Sequence, residues 1–238
     1  MRRYKNEQYN HLAHVPHHFK AEAKGDTSTI TIYGEIGEPF RGESTSAKDI
    51  ENALNSVESG CITVRLNSGG GDVFHGISIY NQLKNHPAKV IIYVDGLAAS
   101  AASVIAMAAD ELMMNTGSML MIHEASTLAW GTKTDIQKTL NALEGINQSI
   151  TDIYMTRYKG ERSEMETMIA NETWFTAQEA VEMGLANQVK EVRAEEGELD
   201  PETFKNHVLQ KFRNRSKQQN DPVVASTNEN ILNKFKRA

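Results

Sequence analysis

Two strand-like runs each lead, through a cluster of small residues, straight into a helical pattern. That doublet constrains the chain more than any other feature. Residues 62–66 (ITVRL) run into Asn67-Ser68-Gly69-Gly70-Gly71-Asp72, and residues 73–83 follow with helical spacing. Residues 89–94 (KVIIYV) run into 96–100 (GLAAS), which reads as a tight turn, and a small-residue helix follows over 101–109. Short β-branched apolar runs fit buried strands, and a helix directly after each returns the chain over the sheet. Strands alternating with helices predict an α/β fold. No sequence repeat relates the two units.

Around this doublet the pattern continues. Residues 29–36 alternate as a strand, and 46–56 open on a serine and carry helical spacing at Ile50 and Leu54. Two short apolar strands are expected at 111–115 and 119–123. Residues 132–158 are the longest helix, with Ile136, Leu140, Leu143, Ile146, Ile150 and Ile153 in one stripe. Such a helix exceeds what one small domain needs, so it is expected to project and pack against a partner. Helices at 163–169 and 176–183 and a strand near 189–192 close the core. Residues 1–26 are polar and read as an N-terminal arm, 27–192 as the single folded domain, and 193–238 as a charged tail. The tail offers one short amphipathic helix, at Phe204, Val208, Leu209 and Phe212, and is otherwise expected to be disordered or partner-dependent.

Several functions are set aside. The net charge of −6 argues against nucleic acid as a partner, since phosphate binding needs a positive surface. The small, apolar stretch 96–109 is too short to cross a bilayer. No apolar run follows the basic start, so no secretory leader is expected. The single cysteine, Cys61, precludes an internal disulfide and reads as a small core residue. Together these point to a cytoplasmic protein. His11, His14, His17 and His18 have spacings that would suit a metal, but no second cluster accompanies them, and no metal or cofactor is expected.

The chemistry lies at the turns. Gly69-Gly70-Gly71 frees amide groups at a helix N-terminus, which suits an oxyanion or a phosphate; a flexible turn is the plain alternative. The GK[ST] ending of a phosphate loop is missing. Ser100 has its hydroxyl at the tip of the second turn with the Ala101 amide behind it, which suits a nucleophile; a helix N-cap is its plain alternative. His123 ends an apolar strand 23 residues on. A serine hydroxyl needs a base at neutral pH, and imidazole is the usual one.

Residues 67–71 (NSGGG), 96–100 (GLAAS), 121–123 (MIH) and 176–185 (TAQEAVEMGL), in that order and spacing, closely resemble the Clp protease proteolytic subunit. The resemblance covers about 29–192; arm and tail are closer to the phage-encoded head-maturation (prohead) proteases. It implies a ClpP/crotonase-like α/β fold with a projecting handle helix, and a serine endopeptidase working inside an oligomeric chamber. Ser100 corresponds to the nucleophile, His123 to the base, and Gly71 and Ala101 to the oxyanion-hole amides. Gly70, Asp72 and Val73 on one side, and Glu124, Ala125 and Ser126 on the other, correspond to the edges where an extended peptide adds as a strand. The helix from Thr132 corresponds to the handle through which two rings dock.

Two positions depart from the pattern. The third triad position, normally Asp, is Glu172 here, beside Asn171. The turn at Ser68-Gly69-Gly70 lacks the usual middle proline. The implied partners are polypeptide substrates, the chain itself in stacked seven-membered rings (a tetradecamer), and either an AAA+ unfoldase or phage scaffold and capsid proteins. The implied location is the cytoplasm, or the prohead for a phage protein. No Walker motif occurs. The competing functions are a structural ring subunit without activity and a coenzyme A thioester enzyme of the crotonase fold.

Overall fold

The computed structural model describes residues 15–39 and 42–191. His11, His14 and the whole tail, with its expected helix, lie outside the described residues.

The elements are β1 (His18–Lys24), β2 (Thr27–Tyr33), α1 (Ala47–Leu54), β3 (Cys61–Ser68), α2 (Val73–Lys84), β4 (Lys89–Ala99), α3 (Ala101–Ala106), β5 (Glu111–Asn115), β6 (Met119–Ile122), α4 (Lys133–Met155), α5 (Arg162–Ala170), β7 (Thr173–Thr176), α6 (Ala177–Glu182) and β8 (Gln188–Lys190). The main path of the eight-stranded sheet runs β1-β2-β3-β4-β5-β8 and is parallel except where β1 meets β2; off this path β6 pairs parallel with β4 and antiparallel with β7. The α/β class expected from the alternation is therefore what forms.

The core follows from period-two burial. Ile30 and Ile32, then Ile62, Val64 and Leu66, then Val90, Ile92 and Val94 all point to one face and are shielded from water by Ile50, Ile79, Leu83 and Ile105 from the helices. Each isoleucine so buried contributes about 2 kcal/mol. The opposite face is half-buried and partly polar. There Asp95 accepts hydrogen bonds from Tyr33 Oη (2.6 Å), Arg65 Nε (2.9 Å) and Asn115 Nδ2 (2.7 Å). Cys61 lies at one of the half-buried positions of β3 and not in the core as expected.

β4 is the element that makes the site. Its first half pairs with β5, Ile91 with Glu111 to Val94 with Met114; its second half turns to β6, Leu97 with Met119 to Ala99 with Met121. At the divergence the β3–β4 register shifts between Leu66 and Ser68, and Asn67 Oδ1 accepts from the Leu97 amide at 3.0 Å, filling the gap in the ladder. The turn expected over 96–100 is thus strand as far as Ala99. Glycine and alanine are weak strand formers, but two flanking strands hold them extended.

Two further strands were not expected from the sequence. β1 falls within the segment read as an arm. Its sequence, HFKAEAK, does alternate apolar with polar residues, but two of the three apolar positions are alanines and only Phe19 is half-buried, so this edge strand is held mainly by backbone bonds to β2. β7 has only four residues and runs antiparallel to β6. Among the described residues no helix is long and apolar enough to cross a membrane.

Candidate active site

The site is built where β4 ends. Ser100 is the single residue between β4 and α3, at φ 56° and ψ −125°. A non-glycine residue at positive φ is uncommon and is held there by its surroundings. Its amide donates to Met121 O at 3.0 Å, tying the turn to β6. Ser100 occupies the N-cap position of α3, yet its side chain makes no capping bond. The hydroxyl instead lies 2.7 Å from His123 Nε2. Ser100 thus stands at the N-cap position without the side-chain capping bond that the plain alternative implied.

His123 is the residue after β6, and Glu172 the residue before β7. The two strands are antiparallel with Ile122 opposite Thr173, so His123 and Glu172 both adjoin the same end of this pair. Glu172 is 8% exposed and has φ 53°, and its Oε1 accepts from Trp174 Nε1 at 3.3 Å. Trp174 packs in a small apolar cluster with Leu97, Ala99, Met119 and Met121, on strands that carry Ser100 and His123.

The glycine turn lies directly against the serine turn. A Cβ at Gly70 would come within 2.7 Å of both Ala99 O and Ser100 Cβ; one at Gly71 would come within 1.9 Å of Ile36 O. Only hydrogen fits in either place. Ile36 N donates to Gly70 O and Asp72 N to Ile36 O, at 3.1 and 2.9 Å, which clamps the turn from a third strand-like segment. Ala101 is the first residue of α3, where an amide has no acceptor within its own helix.

Ser100 and His123 open on a cleft of about 620 Å³. Gly71, Asp72, Val73, Ala101, Glu124, Ala125 and Ser126 line it. Gly70 does not line it; it is buried beneath the Ser100 turn. The Asp72 carboxylate caps α2, accepting from the amides of Phe74 and His75.

The far wall of the cleft is α4. Its apolar stripe splits by depth: Ile150 and Ile153 are buried, Leu143 and Ile146 are half-buried, and Ile136 and Leu140 are exposed. Sequence reasoning missed Asn147 on this helix, whose Oδ1 accepts from the Ala125 amide at 2.9 Å. It also missed Ser103 and the fully buried Tyr154, whose hydroxyls lie 2.8 Å apart behind the serine turn. No local pattern marks a contact between residues so far apart in sequence. Among the described residues no cluster of His, Cys, Asp and Glu is arranged to hold a metal.

Comparison with known proteins gives a consistent result. The Clp protease family model matches residues 28–193. The chain is 32% identical over 128 residues to the ATP-dependent Clp protease proteolytic subunit 1 of Protochlamydia amoebophila, covering 52% of this chain and 62% of that one. It is 27% identical over 163 residues to proteolytic subunit 3 of Rhodococcus jostii, covering 68% and 80%. The matched part thus spans just under two thirds of the first of these relatives. A solved structure of a ClpP1 mutant from Listeria monocytogenes superposes with a TM-score of 0.56 at 26% identity, over 69% of this chain and 92% of that one.

Proposed function

The chain belongs to the Clp protease family, and from that membership we propose that it is a serine endopeptidase. The observation that carries the reading is the 2.7 Å approach of His123 Nε2 to Ser100 Oγ at a strained strand-to-helix turn.

Ser100 Oγ attacks a peptide carbonyl while His123 Nε2 takes its proton. The carbonyl oxygen, now negative, is held by the amides of Gly71 and Ala101. His123 then gives the proton to the leaving amine, the C–N bond breaks, and the acyl group remains on Ser100. Water, deprotonated by His123, attacks the ester and releases the acid. Glu172 orients the imidazole and stabilises its cation. The peptide lies extended between the turn at Gly71–Val73 and the segment at Glu124–Ser126. Backbone pairing there makes cleavage tolerant of sequence.

The partners follow from the same membership. The exposed Ile136 and Leu140 of α4, and Leu128 and Trp130 before it, support assembly of copies into stacked rings. Folded substrates then need delivery by a separate unfolding ATPase. A finer reading is a head-maturation protease that cuts scaffold and capsid proteins in the host cytoplasm or prohead; it rests on the composition of the arm and tail.

The test is labelling by a fluorophosphonate, read by intact mass. The wild-type protein takes one probe per chain and Ser100→Ala takes none, with peptide turnover lost as well. Equal labelling of the two proteins sinks the assignment.

A further inference from the structure

The Ser100 carbonyl is held by three donors. It accepts from the Ser103 amide at 2.9 Å, the Val104 amide at 3.3 Å and the Ser103 hydroxyl at 2.7 Å. The Ser103 oxygen also lies 2.8 Å from the Tyr154 phenol oxygen. A carbonyl only accepts, so the single hydroxyl proton of Ser103 goes to Ser100 O, and Tyr154 must donate to Ser103. The order is therefore Tyr154 to Ser103 to Ser100. Both side chains are closed to water, at 0% and 1% exposure. Burial pushes the Tyr154 phenol far above its ordinary range, so it keeps its proton, and its donor role, at any working pH.

A serine hydroxyl bonding back to a carbonyl three residues earlier is ordinary in a first helical turn. A buried tyrosine 51 residues away that completes the chain is not. Tyr154 comes from α4, the helix that walls the cleft, and itself lines that cleft. The peptide unit between Ser100 and Ala101 is planar, so its carbonyl and its N–H turn together. Whatever fixes the Ser100 carbonyl also sets the direction of the Ala101 N–H.

The geometry points to Ser103 and Tyr154 as positioning residues that aim the Ala101 amide at the oxyanion by pinning the other end of its peptide plane. This rests on the peptidase reading above. The Ser103 and Val104 amides hold this carbonyl as part of the first helical turn, and the Ser103–Tyr154 chain adds a side-chain restraint that ties it to α4.

The experiment uses the full chain with S103A, Y154F and the double variant. Its readouts are kcat and KM on a fluorogenic peptide, the fluorophosphonate labelling rate, and Tm. Removing an oxyanion donor outright costs about a hundred- to a thousandfold in comparable sites, and mis-aiming one forfeits part of that. Each single variant is expected to lose about tenfold in kcat and in labelling rate, with KM within about twofold, because the contact acts in the transition state. S103A orphans a buried phenol and lowers Tm; the double variant removes both polar groups and regains most of it. A purely structural role would restore kcat together with Tm, whereas a positioning role leaves kcat low in the double variant. Recovery of kcat there, or wild-type kcat in the singles, overturns the proposal. A wild-type protein inert to the phosphonate sinks the peptidase reading, and the positioning role with it.

Discussion

Ser100 and Glu172 are the two described non-glycine residues at positive φ, and both belong to the proposed triad. Such backbone costs on the order of 1–3 kcal/mol per residue and persists where neighbours over-determine it. For Ser100 those neighbours are Met121 O, the α3 amides and the Gly70 backbone. Glu172 is one methylene longer than the aspartate of the resembled family. Its bond from Trp174 restrains that longer arm. Glu172→Gln keeps the volume but removes the charge proposed to stabilise the imidazolium. Its kcat is expected to fall by about a hundredfold or more with little change in KM or Tm, in steady-state kinetics against a melting curve. Wild-type kcat in this variant would remove Glu172 from the mechanism.

At the scale of elements, helix ends were legible because capping is local. The sequence reading began helices at Ser46, Thr132 and Thr176, the first on its serine, and each closes a capping box with an acid three residues on. In α4 the Asp135 carboxyl is held below its ordinary value by hydrogen bonds from the Thr132 side chain and backbone. A depressed folded-state pKa means that the cap's contribution is full above the unfolded value and is lost as pH falls through the folded one. Asp135→Asn is therefore expected to lower Tm at neutral pH, and to match wild type once the pH is well below the carboxylate range. Paired melting curves at the two pH values check this, and a constant difference would show that the charge is not the cause. β4 went the other way. Its small residues suggested a turn, and only its pairing with both β3 and β6 kept it extended to Ala99.

Over the whole described domain, one side of α4 is finished and the other is not. Its last turns bury Ile150, Ile153 and Tyr154, while Ile136 and Leu140 remain 40% and 53% exposed. A stripe that leaves the core part-way along a helix needs a second surface. If that surface is α4 of a facing ring, placing acids there splits the stack and leaves each ring intact. Light scattering is expected to give a large assembly for the wild type and about half its mass for Ile136→Asp/Leu140→Asp, since buried like charges in a symmetric contact are not tolerated. A wild-type monomer would count against a chamber altogether.

By itself the sequence determined what depends on neighbours along the chain. Short apolar or alternating runs set β2, β3 and the first half of β4; a serine start marked α1 and an apolar stripe marked α4; Ser100, His123 and the glycine turn stood out by residue type and order. Tertiary structure alone decided what depends on residues brought together from far apart. It gave Ser100 its positive φ, carried β4 through glycine and alanine, held β1 by backbone bonding, put Glu172 and His123 beside the same end of the β6–β7 pair, and brought Tyr154 to Ser103. Those choices rest on hydrogen-bond geometry between segments tens of residues apart, and no local pattern of side chains encodes a distance of that kind.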